Sequence, residues 1–511
     1  MQVLNKLGIA LKKFFNSMQS FRFVLLVALY FGLERVSNIA VFVILLWSVY
    51  LFIKELIIKK GIRKIRYRNI LYIFLGFALL TVGIHCERNL FDNLVMIYIM
   101  CVYFFQICGL YSEKSNIRCR KEMKFTLQFI VLITSLAMLI GFIGLAVFPH
   151  GIEWNGLNLI LYESRFIGLF FNANVTGFYS AMAVIGCHIL WRIIRAEKKL
   201  SVRRKVLYIS CIAINTIALF LSDSNAALLF LVSYCSFAMF YIMFRDFGKK
   251  RMYGFILRIL ATILSFVVII TSLVFFRVVT QSQVSLAITS GQSRTELSSG
   301  VVKDDGIVGL KDDDYRENIF GHENKNIDSG RFKIWEQSMQ MIEKFPLLGV
   351  GKANIKDYAN EYIGGLRYDD LHNGMITILV SYGVVGANLF IVFGITIAKD
   401  MLRMIFRYKK KCRDDGSVPV LVTSFCIAYV IYSMFEVALL VDCSYRVLIF
   451  WLLVGFGMSY VQKYSLQAII DGDKTDDQSV TDLPSIIEDM RERRKIKHML
   501  KKELKMIKNA D

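Results

Sequence analysis

Long runs of apolar residues constrain this chain more than any other feature of its sequence. Of its 511 residues, 55% are hydrophobic and only four are proline. A helix needs roughly 20 apolar residues to cross the hydrocarbon core of a bilayer, where a free backbone amide finds no partner. Many segments reach that length, so we expect an all-α polytopic membrane protein rather than a soluble one.

The apolar runs predict about twelve transmembrane helices. The predicted spans are residues 21–33, 36–54, 69–86, 92–110, 125–148, 166–191, 206–222, 225–244, 254–279, 373–398, 418–440 and 445–462. The first run turns straight into another span without a small-residue cleavage site, so we expect no cleavable signal peptide.

Basic residues are distributed unevenly over the connections between these spans. Five connections are densely basic: 54–68, 114–124, 192–205, 245–258 and 399–413. Four others are short and poor in Lys and Arg: 34–38, 87–93, 222–225 and 441–444. Because the two sets alternate along the chain, the positive-inside rule predicts a plasma-membrane protein with both termini in the cytoplasm. This bias and a basic tail explain the net charge of +21, which therefore gives no reason to expect a nucleic acid partner.

The topology divides the chain into four predicted regions. Residues 1–279 carry spans one to nine, 280–371 form a large extracytoplasmic loop, 372–463 carry the last three spans, and 464–511 form an acidic-then-basic cytoplasmic tail. The loop is the only outer segment long enough to fold as a unit.

Helical spacing of apolar residues predicts short helices in the second half of this loop. One helix is predicted over residues 331–345 and ends before Pro346, and a second over 354–363. Between them, PLLGVG is read as a turn, since it lacks the lysine and Ser/Thr of a phosphate-binding loop. The D-x-D pattern at 312–314 resembles a metal-binding pair, but we favour a solvated acidic run.

Several short motifs follow one another in a fixed order. They are Arg165, Gly168, Asn172, Asn174 and Gly177 in one segment, SGR at 329–331, Trp335, PLLGVG at 346–351, His372-Asn373, and the glycine pair Gly383 and Gly386. In this polytopic frame they resemble the O-antigen ligase and polymerase superfamily, membrane glycosyltransferases of C-type fold that use polyprenyl-pyrophosphate-linked sugars. Asn172-Ala173-Asn174 stands where the family pattern has Asn-Pro-Asn.

The resemblance implies catalytic roles for His372, Arg331 and Arg165. The matching arginines bind the donor's pyrophosphate, and a planar guanidinium can bond two phosphate oxygens at once. Arginines in place before the reaction would stabilise the departing pyrophosphate by ~3 kcal/mol per donor, so neither a metal nor a cofactor is expected. The matching histidine activates the acceptor, because a neutral imidazole with pKa near ~6.5 can take a proton.

Further polar residues are candidates for substrate binding. They are Asn172, Asn174, Asn373, Trp335, Glu436 and Arg446. Asn373 has the alternative of a helix N-cap, and Asn172 and Asn174 that of interhelical hydrogen bonds. Glu436, inside a predicted span, has the alternative of an ion pair with an arginine.

The three catalytic candidates also have structural alternatives. Arg165 and Arg331 could be arginines that extend from a helix end to the membrane boundary, and His372 an interfacial histidine beside a helix start.

The function predicted is a polysaccharide polymerase, of the O-antigen or capsule type, that transfers glycan from polyprenyl pyrophosphate to a lipid-linked repeat unit outside the plasma membrane. The abundance of Lys and Ile favours a low-GC source and hence a polymerase over a ligase acting on another acceptor. A flippase or exporter of lipid-linked sugars is the alternative from another class, but no internal repeat supports it. The partners expected are the lipid-linked oligosaccharide, membrane lipids, and a flippase and chain-length regulator of the same pathway.

Overall fold

The chain folds into a helical bundle with a small outer unit. The structure, a computed structural model, describes residues 2–32, 38–58, 61, 65–112, 116–149, 151–154, 157–162, 164–170, 172–197, 200–244, 252–299, 331–366 and 370–470. The acidic run at 312–314 and the tail beyond residue 470 lie outside the described residues.

The helices of the first half are α1 (Gln2–Phe15), α2 (Met18–Tyr30), α3 (Asn38–Leu51), α4 (Arg68–Ile84), α5 (Leu90–Cys101), α6 (Asn116–Val147), α7 (Ala173–Glu197), α8 (Val202–Leu221) and α9 (Asn225–Phe244). Those of the second half are α10 (Met252–Ser299), α11 (Arg331–Lys344), α12 (Ile355–Ile363), α13 (Gly374–Arg407), α14 (Lys409–Asp414), α15 (Val418–Ser433) and α16 (Tyr445–Ile470). Helices α3 and α5 continue as π-helices over Phe52–Ile58 and Val102–Gly109.

Eight stretches of helix are long and apolar enough to cross a membrane among the described residues. They are Leu90–Gly109, Asn116–Val147, Ala173–Glu197, Val202–Leu221, Asn225–Phe244, Ile256–Ile288, Gly374–Arg407 and Tyr445–Ala468. The remaining predicted spans fall on α2, α3, α4 and α15, which are shorter. The expectation of an all-α polytopic membrane protein is confirmed at this level, and the count of twelve stays a prediction.

A small sheet, which the sequence did not predict, precedes α7. Strands β1 (Ile152–Trp154), β2 (Leu157–Tyr162) and β3 (Arg165–Gly168) pair antiparallel in that order. The expected span at 166–191 is therefore wrong at its start: residues 166–168 lie in β3, and the helix begins at Ala173. Gly168, with φ of +56°, turns the backbone into a left-handed conformation that a helix cannot contain.

The PLLGVG segment packs into a break in α13. Gly383 has non-helical angles of φ 64° and ψ −174°, so the helical ladder is interrupted there. The freed amide of Val384 donates to the Pro346 carbonyl at 2.8 Å, and Gly351 N donates to the Ser381 carbonyl at 2.8 Å. PLLGVG is thus a turn that satisfies the backbone of a broken membrane helix.

A second set of contacts fixes the outer helices to the turn between α4 and α5. Asn93 Nδ2 donates to Asn354 Oδ1 at 3.1 Å, and Asn89 Nδ2 donates to Asp357 Oδ2 at 2.7 Å. His85 Nδ1 lies 2.6 Å from the hydroxyl of Tyr358 on α12. The connection at 87–93 and the outer-loop helices therefore lie on the same side of the bundle, as the charge pattern predicts.

Replacing Gly383 should destabilise the protein. A Cβ at Gly383 would overlap the Leu347 carbonyl and demand a backbone that L-residues rarely adopt. We expect Gly383→Ala to cost about 2 kcal/mol or more, measured as a lower midpoint of thermal unfolding in detergent. The matched control is Gly394→Ala in the same helix, where a Cβ meets nothing within 4 Å. Equal midpoints for the two variants would contradict this account of the break.

Candidate active site

A buried carboxylate, Glu436, gathers side chains from four segments of the chain. It is 3% exposed, and it accepts hydrogen bonds from Arg331 Nη2 at 3.3 Å and Arg446 Nη1 at 3.0 Å. Asn174 Nδ2 donates to it at 3.3 Å, and His372 Nδ1 lies 3.9 Å from its Oε2. We call these five residues the Glu436 cluster. A carboxylate this deeply buried is tolerated because several donors replace the water it has lost.

Four helices start at the Glu436 cluster. Arg331 is the first residue of α11, Asn174 and Arg446 are the second residues of α7 and α16, and His372 lies two residues before α13. Helix N-termini carry unsatisfied N–H groups and the positive end of the helix dipole. The fold therefore brings side chains from four helix N-termini together, two of them guanidinium groups, an arrangement that favours anions.

Arg165 joins the cluster through Asn174. Its Nη2 donates to Asn174 Oδ1 at 2.9 Å, while the amide nitrogen of Asn174 donates to Glu436. The Arg165 guanidinium also donates to the carbonyls of Ser222 at 3.1 Å and Asp223 at 3.3 Å. Asn174 thus links Arg165 in β3 to Glu436, which lies beyond the end of α15 at Ser433 and not inside a spanning helix as predicted, so its bonds are not interhelical. The asparagine orientation follows from its two partners.

Asn172 is the residue that starts α7. Its Oδ1 accepts from the backbone N–H groups of Asn174 at 2.8 Å and Val175 at 3.4 Å, as an N-cap does. Ala173 is then the first helical residue, the position at which proline is tolerated best. The difference between Asn-Ala-Asn here and Asn-Pro-Asn in the family pattern therefore falls where alanine and proline are both compatible with the helix start.

His372 is held in a strained backbone conformation. Its φ is +47°, uncommon for a residue other than glycine, and its N–H donates to Asp370 Oδ1 at 3.1 Å. The next residue, Asn373, caps α13 by accepting from Met375 N and Ile376 N, and its Nδ2 donates to the Met434 carbonyl at 2.9 Å. The N-cap considered for Asn373 is present, and it fixes His372 beside the segment that carries Glu436.

The pKa of His372 is raised above its ordinary value. Its interaction with Glu436 is the largest cause, burial acts in the opposite direction, the charges of Glu436 and Asp370 raise the pKa further, and Arg331 lowers it. The imidazole therefore keeps its proton to a higher pH than the sequence led us to expect. Neutral His372, the form that accepts a proton, becomes the main form only above this raised pKa.

Trp335 lies one helical turn from Arg331, at the edge of the cluster. Its ring centroid is 6.4 Å from that of Phe435, the residue before Glu436, and 5.6 Å from that of Phe332. The indole Nε1 is buried and has no hydrogen-bond partner among the described residues. A buried donor of this kind commonly finds its partner in a ligand or ordered water.

The structure brings the nine predicted site residues into one region, but in different ways. His372, Arg331, Arg446, Asn174 and Glu436 form the cluster, Arg165 is joined through Asn174, and Asn172, Asn373 and Trp335 support or border it. The ion pair considered for Glu436 is present, while a role in substrate binding stays a prediction. Among the described residues, no group of three or more His, Cys, Asp or Glu side chains is arranged to hold a metal ion.

Sequence reasoning missed Asp223 and Arg277. Asp223 supplies one of the carbonyls that bind Arg165, and its carboxylate lies 3.2 Å from Arg277 Nη1. The available signal was Arg277, one of two arginines within the apolar run at 254–279.

Removing the charge of Glu436 should lower the pKa of His372. In Glu436→Gln, the interaction that raises this pKa is weakened while the charge of Arg331 remains, so the imidazole should lose its proton at lower pH. The measurement is the pH dependence of His372 modification by diethyl pyrocarbonate, which reacts with neutral histidine, read by mass spectrometry of the full-length protein. Glu336→Gln on the exposed side of α11 is the matched control. An unchanged midpoint in Glu436→Gln would contradict the proposed coupling.

One family model matches the chain: a model described as O-antigen ligase covers residues 210–391. No curated protein matches significantly. The matched region includes Arg331 and His372, whereas Arg165, Asn174, Glu436 and Arg446 lie outside it. At a coarse level, the match supports a multi-pass membrane glycosyltransferase that acts on lipid-linked oligosaccharide. The resemblance read from the motif order is therefore confirmed over residues 210–391, which are similar to the O-antigen ligase family.

Proposed function

We propose that this protein is a polysaccharide polymerase, which transfers a growing glycan from polyprenyl pyrophosphate to a lipid-linked repeat unit. The observation that carries the proposal is the convergence of Arg331, Arg446 and four helix N-termini on Glu436, with His372 beside it. Such a place stabilises an anion next to a group that can accept a proton. The family match supports glycosyl transfer. The choice of a polymerase over a ligase is based on the abundance of Lys and Ile in the sequence.

On the donor side, we infer that the arginines bind the pyrophosphate. Arg331 shares the Glu436 carboxylate with Arg446, and Arg165 donates to backbone carbonyls and to Asn174, so a pyrophosphate with several negative charges can compete for them. As the bond between the anomeric carbon and the pyrophosphate oxygen breaks, charge on the leaving group grows and these cations stabilise it. No metal is needed for this step in the proposed mechanism.

On the acceptor side, His372 is the proposed base. It takes the proton of the acceptor hydroxyl as the oxygen bonds to the anomeric carbon, and Glu436 stabilises the imidazolium that forms. Nδ1 faces Glu436 at 3.9 Å, so Nε2 is the nitrogen assigned to the acceptor. Trp335 is proposed to border the sugar and to donate its Nε1 hydrogen to a sugar hydroxyl.

The proposed location is the outer face of the plasma membrane, with both termini in the cytoplasm. The alternation of basic connections supports this orientation. The turn at 87–93 contacts the outer helix α12, and the turn at 222–225 binds Arg165, which is joined to the Glu436 cluster. Among the basic connections, Arg66 pairs with Asp400 at 2.7 Å and Arg120 with Asp415 at 3.4 Å. In the proposed pathway, a flippase delivers the lipid-linked repeat unit to the outer face, and a chain-length regulator limits the length of the glycan.

A ligase that moves finished glycan to a different acceptor is the second candidate. It would use the same donor site, so the Glu436 cluster is compatible with it. The two differ in the acceptor.

Mutation of the cluster should stop elongation. We expect His372→Ala to reduce it by about 10²-fold or more through loss of the base. Arg331→Lys should reduce it by about tenfold or more, because a lysine cannot form the bidentate contact. The measurement is the ladder of lipid-linked repeat units in cells that lack the protein and are complemented with each variant. Arg203→Lys, at an exposed site at the start of α8, is the control and should support the wild-type ladder.

The pattern of products separates the candidates. Single repeat units that accumulate on the outer leaflet and are extended only with the wild-type protein or the control support a polymerase. Long chains that stay on the lipid carrier would establish the ligase instead. Repeat units trapped on the cytoplasmic leaflet would overturn both in favour of transport.

A further inference from the structure

His85, the residue that follows α4, contacts the outer unit with both of its ring nitrogens. The outer unit consists of α11, the PLLGVG turn and α12. Nε2 lies 3.1 Å from the Gly349 carbonyl in the turn, and Nδ1 lies 2.6 Å from the hydroxyl of Tyr358 on α12. That hydroxyl donates to Glu87 Oε1 at 3.0 Å. Because Glu87 is exposed, this chain of hydrogen bonds runs from the buried Gly349 to solvent.

The hydrogens available in this chain decide which form of the ring completes it. The Gly349 carbonyl can only accept, so its bond requires a hydrogen on Nε2. The pKa of Glu87 is lowered by its own backbone N–H and by the Tyr358 hydroxyl, so Glu87 is a carboxylate that accepts. Burial and the Glu87 carboxylate raise the pKa of Tyr358 to about 12, so the tyrosine has one hydrogen to give. If Glu87 receives it, Nδ1 must donate to Tyr358, and all three bonds then form only with a doubly protonated ring.

The charged groups around the chain balance a protonated His85. Arg88 pairs with Glu361 of α12 at 2.5 Å, and its guanidinium lies 4.6 Å over the Tyr358 ring. With His85 protonated, two positive charges on the α4 turn therefore meet the negative charges of Glu87 and Glu361. Further ionisable groups on α11 and α12 near these contacts are Lys344, Asp357 and Tyr362.

We propose that His85 fastens the outer unit to α4 in a pH-dependent way, most tightly when its ring is protonated. In the neutral ring that keeps its hydrogen on Nε2, Nδ1 can only accept. The single hydrogen of Tyr358 must then go either to His85 or to Glu87, and one of the three bonds is lost. The attachment is therefore complete at low pH and weakens as the pH rises and the ring loses its proton.

This attachment acts on the helix that carries Arg331. Phe345, the residue after α11, packs edge-on against the rings of both His85 and Tyr358, with centroid distances of 6.0 and 5.1 Å. The helix that starts at Arg331 is thus held at its other end by the His85 chain, which makes His85 a positioning residue. This consequence for glycosyl transfer rests on the proposed function, whereas the attachment itself does not.

The experiment is hydrogen exchange of the full-length protein in nanodiscs at about pH 5.5 and about pH 8, read by mass spectrometry of peptides from α12. After correction for intrinsic exchange rates, we expect the protection of wild-type α12 to fall by about threefold to tenfold at the higher pH, as for the loss of one hydrogen bond. Tyr358→Phe, which lacks the hydroxyl, should be weakly protected at both pH values. The matched control is Tyr362→Phe, which removes a hydroxyl from the neighbouring stacked ring and should respond as wild type does.

Glu87→Gln separates this count of hydrogens from a simple attraction between charges. An amide can donate as well as accept, so with a neutral ring the Tyr358 hydroxyl can donate to His85 Nδ1 and accept from the introduced amide. All three bonds then form without the extra proton, and α12 should stay protected at both pH values. Low protection of Glu87→Gln at both pH values, or a wild-type protein equally protected at both, would overturn the inference.

A second readout tests the effect on Arg331. With cells held at about pH 8, Glu87→Gln should extend lipid-linked repeat units at least about twofold faster than wild type, since both proteins carry the same His372. Equal rates, with hydrogen exchange as expected, would overturn the positioning role. If His372→Ala left the ladder unchanged, the proposed function would be wrong, and the hydrogen-exchange results would still decide the attachment.

Discussion

The Glu436 carboxylate is the interaction on which the site depends. Burying it would be strongly unfavourable alone, but two arginines and an asparagine, each at the start of a helix, bind it. Each partner belongs to a different segment, so the carboxylate also fixes how α7, α11, α13 and α16 meet. Loss of either arginine would leave this buried charge with only the other arginine and Asn174 to compensate it. Structure and proposed chemistry are therefore supported by the same contacts.

The broken helix α13 explains why motifs distant in sequence act together. Gly383 interrupts the helix, and the PLLGVG turn binds the freed backbone groups. This contact ties α11, which begins at Arg331, to the helix that begins beside His372. The contacts of Asn89 and Asn93 hold the same outer unit to the first half of the bundle. Arg331 and His372 are thereby placed on rigid elements, as a site for oriented chemistry requires.

The sequence predicts the parts of this protein that depend on local pattern. Apolar runs predicted the membrane helices, and helical spacing predicted α11 and α12. Apolar residues on the buried face of a helix recur with the helical period, so this pattern can be read from the sequence. The sheet before α7 was missed, since its strands are short and lie between two apolar runs. The break at Gly383 could not be predicted, because its cause is a turn more than thirty residues away in sequence. An ion pair with an arginine was the alternative to substrate binding for Glu436, and only the fold selects Arg331 and Arg446 as its partners.

The most direct test of the central claim is a cryo-EM structure of the full-length protein in nanodiscs with bound polyprenyl pyrophosphate. The account predicts that the pyrophosphate lies against Arg331 and Arg165, at the N-termini of α7 and α11, with His372 on the side open to an acceptor. It also predicts that Glu436 stays beside Arg446 when the phosphates engage Arg331. Pyrophosphate bound at the basic connections on the opposite side of the bundle, or far from both arginines, would contradict it.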